Sequence, residues 1–478
     1  MERMIAQGVS LIVSIILARL LSPTDYGVVG LVMVFFQFAN VIISGGLNTA
    51  LIQKKNADDK DYSTVLSISL VVSIVVYSCL YFMAPIIAKI YDAEILIPII
   101  RVLGISLPIY ACKSIICAYI SSTLQFRKFF FATLIGTVIS AVVGIEMAIY
   151  GFGPWALTAQ QLTNTFIDTL VLFISTKKRW KLKIYWERAS ALMKYGFRIL
   201  LSSLISTVYT QINPLFIGTK FSSHDLSFYS KGKLFPETVS SSITNTLSSV
   251  LFPVLSKKQN DKEVLLRYTR LFIRVSSFIV FPALLGFFAV SDNFIMVLLT
   301  DKWLPASYYM RIFCVCFMFD VIAVGNCETI KASGRSDIFL KLEIIKKSLY
   351  FLIIGAFLVF SKTPEILAIS MILCTVVQLC VNALPNIKLI GYSIKMQIID
   401  ILPNIFISVV MCVFVIMIGK IQLNGIIVLV VQVLSGLLVY LLLSIVTRNK
   451  SYIYLCGVVA ERIRGKKRHS VKNNGNFD

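Results

Sequence analysis

Gly46-Leu47-Asn48-Thr49-Ala50-Leu51-Ile52-Gln53, running into Lys54-Lys55-Asn56 and Asp58, closes one apolar segment of this chain. At an offset of 203 positions, Ser249-Val250-Leu251-Phe252-Pro253-Val254-Leu255-Ser256 runs into Lys257-Lys258-Gln259 and Asp261. A second echo follows at a similar offset: Ile100-Arg101-Val102-Leu103, leading to Arg127-Lys128, is matched by Met310-Arg311-Ile312-Phe313, leading to Arg335. Self-similarity at one long spacing marks a duplicated bundle. In a membrane chain, a parallel repeat places a substrate site at the interface of its two halves.

The composition sets that bundle in a membrane. Of the residues 57% are hydrophobic and only 15% are charged, with mean hydropathy +0.82; soluble domains carry roughly 25% charged residues. Apolar runs long enough to cross a ~30 Å hydrocarbon core recur at about 4–21, 27–51, 63–88, 97–122, 129–150, 155–176, 195–218, 229–255, 271–299, 305–330, 342–360, 365–386, 399–419 and 424–446. Sustained alternation of period two, the mark of membrane strands, is missing from stretches such as Val65–Val76. The expected fold is therefore all-α and polytopic, with about fourteen transmembrane helices.

A formal charge of +22 would point to nucleic acid in a soluble chain, but its placement gives another reading. With an inside amino terminus, the cytoplasmic loops hold Lys54, Lys55, Lys60, Arg127, Lys128, the cluster Lys177 to Lys194, and Lys257 to Arg270. They continue with Lys331, Arg335, Lys341, Lys346, Lys347, Lys388 and Lys395, while the opposite loops offer little beyond Lys89, Lys220, Lys302, Lys362 and Lys420. This is the positive-inside bias, with both termini cytoplasmic. The tail Arg462-Ile463-Arg464-Gly465-Lys466-Lys467-Arg468 reads as a topology anchor or a contact to anionic headgroups rather than a nucleic-acid arm. The first apolar run starts almost at Met1 without a basic leader, and the expectation is a start codon assigned slightly too late.

Residues 1–176 form the first expected six-helix lobe and 194–388 the second, joined by an interfacial cytoplasmic linker, 177–193, with Trp180, Tyr185 and Trp186. Two further helices, 396–446, have no counterpart in the first repeat and precede a basic tail, 447–478. An even number of helices per repeat makes the lobes parallel, facing each other across a central cavity. Pro108, Pro214, Pro236, Pro253 and Pro282 sit inside spans as hinges or fixed bends.

No catalytic constellation is present. The chain has no Gly-x-x-x-x-Gly-Lys-Ser/Thr phosphate loop, no Cys-x-x-Cys, and only His224 and His469, so neither a nucleotide motor, a metal site nor a cofactor is expected. What stands out are charges within or near the spans, which usually face a wet interior because a charge at the bilayer centre costs ~2.5–3.5 kcal/mol even on the lowest scales. The cations are Arg19, Arg101, Lys113, Lys231, Lys233 and Arg311, taken as cavity-lining candidates, and Arg198, read as snorkelling from the cytoplasmic side. Asp168 and Asp320 are candidates for ion coupling or charge pairing. Cations in excess of carboxylates point to an anionic substrate.

The run Ala18-Arg19-Leu20-Leu21-Ser22-Pro23-Thr24-Asp25-Tyr26-Gly27 followed by Gly45-Gly46-Leu47-Asn48-Thr49-Ala50-Leu51-Ile52-Gln53 resembles the opening of bacterial polysaccharide flippases. Gly153-Pro154-Trp155-Ala156-Leu157, Pro253-Val254-Leu255-Ser256, Lys302-Trp303-Leu304-Pro305 and Gly334-Arg335-Ser336-Asp337 with Lys341-Leu342-Glu343 extend the likeness along nearly the whole chain. These flippases are the lipid-linked oligosaccharide branch of a superfamily that also holds multidrug exporters, and the colanic-acid or lipopolysaccharide exporter type is most similar. The resemblance implies two six-helix lobes in a V working by alternating access in the bacterial inner membrane. It implies undecaprenyl-pyrophosphate-linked glycan as substrate, with membrane lipids, polysaccharide polymerase and glycosyltransferases as candidate partners. A drug or cation antiporter of the same superfamily is the first alternative, disfavoured by the cationic interior. A non-transporting scaffold of a glycan synthesis complex is the second.

Overall fold

The computed structural model describes residues 2–54, 57–258, 261–421, 424–457 and 460–461; Lys55, Asn56, Gln259 and the basic run from Arg462 lie outside the described residues. The helices follow in order as α1 (Glu2–Leu20), α2 (Pro23–Ser44), α3 (Leu47–Gln53), α4 (Asp59–Ile90), α5 (Leu96–Gly104), α6 (Ser106–Ser122), α7 (Arg127–Ile149), α8 (Pro154–Thr176) and α9 (Trp186–Lys220). Then come α10 (Ser223–Ser256), α11 (Lys262–Leu299), α12 (Ala306–Met318), α13 (Asp320–Ala332), α14 (Ser336–Phe360), α15 (Pro364–Ile390), α16 (Ile394–Ile418) and α17 (Gly425–Val446). Taking α2 with α3, α5 with α6 and α12 with α13, these are fourteen arms of membrane length, the number read from the sequence. Ten of them are long and apolar enough to cross a membrane. The other four are α1, α8, α10 and α14, and α8 illustrates the cause, since Gln160, Gln161, Asn164 and Asp168 lower its hydropathy.

Three continuous apolar runs break. The run 27–51 stops at Ser44 because Gly45 and Gly46 both take positive φ (52° and 66°), a turn that side chains resist. The run 97–122 breaks at Ile105, where Pro108 has no N–H to give the Gly104 carbonyl. The run 305–330 breaks at Phe319 without a proline, and Asp320 opens α13, where the positive end of the helix dipole favours a carboxylate. Pro214, Pro236, Pro253 and Pro282 all lie inside continuous helices. Of the junction read as 177–193, residues 177–185 are non-helical and Trp186 already opens α9.

Packing divides the chain into two compact units, 1–230 with 298–302 and 231–297 with 303–478. In unit 1, apolar clusters such as Val13, Leu17, Leu21, Ala141 and Leu157 share the interior with small residues that let backbones approach. A Cβ on Gly144 of α7 would stand 2.9 Å from the Gln160 Cβ of α8. Two N-caps of one design meet here. Ser22 and Asp25 form a capping box at α2, and Ser222 and Asp225 repeat the Ser-x-x-Asp pairing at α10, with Ser222 Oγ donating to Asp225 at 2.7 Å. The α10 terminus lies so close to α2 that a Cβ on Gly27 would fall 1.8 Å from the Ser223 carbonyl oxygen. In unit 2, α11 is central: Phe281 and Leu284 are fully buried, and the Phe278 carbonyl accepts from the Tyr440 hydroxyl of α17 at 2.7 Å.

Gly27→Ala is expected to lower the thermal unfolding midpoint of the detergent-solubilised protein, with an overpacking cost of about 1–3 kcal/mol. Gly8→Ala, with nothing within 4 Å of the added carbon and a helical position that favours alanine, should leave the midpoint unchanged or raise it slightly. Equal midpoints for the two variants would contradict the tight α2–α10 approach.

Candidate functional site

The six expected cations fall on five helices, Lys231 and Lys233 both on α10, and each has its own surroundings. In unit 1, Lys113 of α6 forms an ion pair with Asp168 of α8, the side chains being 26% and 8% exposed. The pair sits where α7 offers no bulk, since a Cβ on Gly136 would stand 3.2 Å from the Asp168 Cβ. Asn164, one turn before Asp168, donates to Ser140 Oγ of α7 at 3.2 Å, extending the polar seam. Arg101 in the last turn of α5 lies 4.3 Å over the Tyr81 ring, and its carbonyl accepts from the Tyr77 hydroxyl at 3.0 Å. Its Nε is buried without a hydrogen-bond partner. Arg19 serves a helix end: its Nε donates to Leu298 O at 2.8 Å, while Lys302 Nζ donates to Arg19 O at 2.6 Å. Each cation thus meets a carbonyl at the negative end of a helix. Burial holds the Lys302 ammonium below the ordinary lysine value, with Asp25 opposing that shift.

In unit 2, Lys231 of α10 is buried with its Nζ 5.7 Å from the Trp303 ring centre. Lys233, half a turn on, lies 3.7 Å from Glu237. Asp320 accepts from Gln378 Nε2 at 3.4 Å. Arg311 of α12 donates to Ser291 Oγ at 2.7 Å and pairs with Asp292, both at the α11 end. The structure therefore joins Lys113 with Asp168, pairs Lys233 with Glu237 and gives Asp320 a contact to Gln378, while Arg101, Lys231 and Arg311 have separate surroundings.

The most heavily bonded charge cluster was missed in the sequence. Asp400 of α16 has no side-chain exposure and accepts from Arg270 Nε and Nη2 at 2.8 Å each, from Arg274, and from the Tyr392 hydroxyl at 2.9 Å. The signal was present, since Arg270 and Arg274 stand four apart on one face of α11 and Asp400 is the one acidic residue of α16. Arg270 reads in sequence as a loop cation because α11 begins at Lys262, nine residues before the apolar run expected at 271. Beside it, Asn326, Asn386 and Gln397 form a buried amide triad, with Asn326 Nδ2 donating to Gln397 Oε1 at 2.9 Å and Asn386 Nδ2 to Asn326 Oδ1 at 2.8 Å. Among the described residues, no group of three or more His, Cys, Asp or Glu could hold a metal ion.

Helices of membrane length along the described residues, ten of them apolar enough to cross a membrane, define a multi-pass helical membrane protein. The family model described as polysaccharide biosynthesis protein matches residues 16–308, more than half the chain, and the chain belongs to that family. It is 22% identical over 296 residues to the succinoglycan biosynthesis transport protein ExoT of Rhizobium meliloti, covering 62% of this chain and 60% of ExoT, less than two thirds of its length. It is 22% identical over 351 residues to the lipopolysaccharide biosynthesis protein WzxC of Escherichia coli, covering 72% and 70%. Its fold is similar to that of the lipid II flippase MurJ in an inward closed conformation, with TM-score 0.76 at 17% identity over 94% of this chain and 98% of MurJ. The first of these relatives is named a transport protein and the fold neighbour a flippase.

Breaking one half of the Lys113–Asp168 pair leaves a buried charge without its partner, a change worth 3–5 kcal/mol in comparable buried pairs, here reduced to about 2–4 by the partial exposure of Lys113. Lys113→Ala and Asp168→Ala should each destabilise the protein by about that amount, while the double variant recovers most of the loss. A double-mutant cycle on thermal unfolding measures the coupling, and additive losses would mean that the two side chains do not interact.

Proposed function

We propose that this protein moves lipid-linked oligosaccharides bearing a diphosphate from the cytoplasmic to the outer leaflet of a bacterial inner membrane, for surface polysaccharide synthesis. The observation that carries the reading is membership of the polysaccharide biosynthesis family by a chain built of membrane helices along its described length. Relatives named for succinoglycan transport and lipopolysaccharide biosynthesis support the substrate class, and the fold it has in common with a lipid II flippase supports the mechanism.

The chemistry of the interior fits an amphiphile with an anionic head. Lys113, Lys231, Lys233, Arg101 and Arg311 supply positive charge at membrane depth, with Asp168 and Asp320 as exchangeable counter-charges. A long apolar chain has its own surface in unit 2, a groove of about 490 Å³ between α11, α16 and α17 lined by Phe278, Pro282, Phe287, Met411, Val415 and Leu437. We take the repeats as 1–176 and 194–388, joined through 177–193, with 396–446 appended and both termini cytoplasmic, on the charge of alternate turns. A polymerase and glycosyltransferases acting on the same glycan are the partners this reading implies.

Deleting the gene is expected to pile up lipid-linked repeat units on the cytoplasmic leaflet while surface polysaccharide disappears. The intact gene should reverse both effects, and Lys113→Ala should not, although the variant reaches the membrane. If the Lys113→Ala, Asp168→Ala double variant restores stability but not export, the pair has a transport role beyond folding. Unaltered surface glycan together with new drug sensitivity would move the assignment to a drug antiporter, and normal export from the cation variants would favour a scaffold.

A further inference from the structure

Gly46 to Gln53 packs against α9 within the same unit. Within unit 1, α3 runs antiparallel to the first turns of α9, and the two touch most closely at one end. A Cβ on Gly46 would lie 2.3 Å from the Gly196 carbonyl oxygen, and one on Gly196 would lie 3.0 Å from the Gly45 carbonyl oxygen. Gly46 also holds φ at 66°, which lets α3 start directly at the contact. Beyond that close contact, Ala50, Gln53 and Lys54 on the α3 side and Glu187, Arg188 and Leu192 of α9 line one space. The result is an open crevice of about 540 Å³ to which Tyr195 adds a wall, within the range of small-ligand sites.

Its charges are unequally engaged. Lys54 Nζ contacts both oxygens of Asp61 at 2.6 Å, and Asp61 has no side-chain exposure, so that ammonium is fixed. Arg188 is different: its nearest carboxylates are Asp58 at 3.7 Å and Asp61 at 4.0 Å, beyond hydrogen-bond length, and its side chain is 44% exposed. A guanidinium held by field and not by bonds retains the planar fork that suits phosphate. Gln53, Glu187 and Tyr195 line the same crevice and carry groups that exchange hydrogen bonds with sugar hydroxyls, and Ala50 and Leu192 add apolar lining. Lys194 and Arg198, exposed on the next turns of α9, add to the positive charge of this end of the helix.

We propose that the α3–α9 crevice is a loading site for the head of a lipid-linked glycan. Arg188, backed by Lys54, takes the diphosphate, and Gln53, Glu187 and Tyr195 take hydroxyls of the first sugar. This rests on the flippase reading and adds to it the place where the head group is first held. The Gly45–Gly46 turn and Gly196 set the crevice angle, so the motif that echoes elsewhere in the sequence becomes, in this copy, one wall of a binding site.

The test uses the full chain in lipid nanodiscs with undecaprenyl diphosphate as probe and microscale thermophoresis as readout. Wild type is expected to bind, and inorganic diphosphate to compete. Arg188→Glu should weaken binding at least 10-fold and Gln53→Glu several-fold. Asp58→Asn, which keeps an N-cap residue and the Arg188 cation but removes a neighbouring charge, should bind as wild type does. If wild type binds and both crevice variants match it, the crevice is not the site, although the flippase reading stands. An Asp58→Asn loss equal to that of Arg188→Glu would assign Arg188 to structure and overturn the proposal. Absence of binding by wild type would remove the flippase reading and the loading site together. Should Arg188→Glu fail to fold, Gln53→Glu at an exposed position decides the same question.

Discussion

A charge carried into hydrocarbon must be met by an opposite charge, a dipole or water, and this requirement organises the interior of both units. Lys113 is met by Asp168, Lys233 by Glu237, Arg311 by Asp292, and Arg270 and Arg274 by Asp400. Arg19 and Lys302 use the carbonyls that a helix leaves unbonded in its last turn. The solutions differ in what they leave over. Asp400 is enclosed and shared by two guanidinium groups and a tyrosine, so its cluster fixes α16 to α11 and retains one surplus positive charge. Lys113 and Asp168 form a one-to-one pair with a partly exposed cation, an arrangement that an arriving anion can enter.

The backbone meets a parallel constraint. Helices carrying polar seams pack closely only where side chains are withdrawn, and glycine supplies that withdrawal at the decisive crossings. Gly136 lies against Asp168 and Gly144 against Gln160, so the polar face of α8 is covered by the least bulky face of α7. At Gly27 the same device brings the N-terminus of α10 onto α2, where two Ser-x-x-Asp caps repeat at an offset of 200 residues. That cap pair is a sharper trace of duplication than the longer echoes in the sequence, because each member satisfies the same orphan N–H groups at the start of a helix.

Much of the fold was legible because hydropathy and length answer directly to bilayer thickness. The helix count follows from apolar runs, and the break at Ile105 follows from Pro108. The break at Phe319 has no such local signal, and the turn at Gly45–Gly46 was masked by an apolar run that continued through it. The candidate site was less legible for a physical reason. A sequence shows that Lys113 and Asp168 both lie within apolar spans without showing that they meet, since pairing across 55 positions is set by helix packing. Asp400 escaped notice because it sits six residues into a helix read as an appended flank, and its importance comes only from the two arginines brought to it.

The same logic separates cations that build the protein from those free to act. An arginine that donates to a buried carboxylate at 2.8 Å, as Arg270 does, would have to abandon an enclosed charge before binding anything else. Lysine at Lys113 holds its partner as a point charge on a flexible stem, so the exchange of Asp168 for a phosphate needs no fixed geometry. Arg188 stands at the opposite extreme, attracted by two carboxylates and bonded to neither. On the flippase reading, an anionic head group would thus meet the least committed cation first and the paired ones afterwards, each step replacing a carboxylate contact by a phosphate contact of similar strength. An anion carrier whose cations were all unpaired would bear large desolvation costs when empty, and one whose cations were all fixed like Arg270 would never release them to substrate.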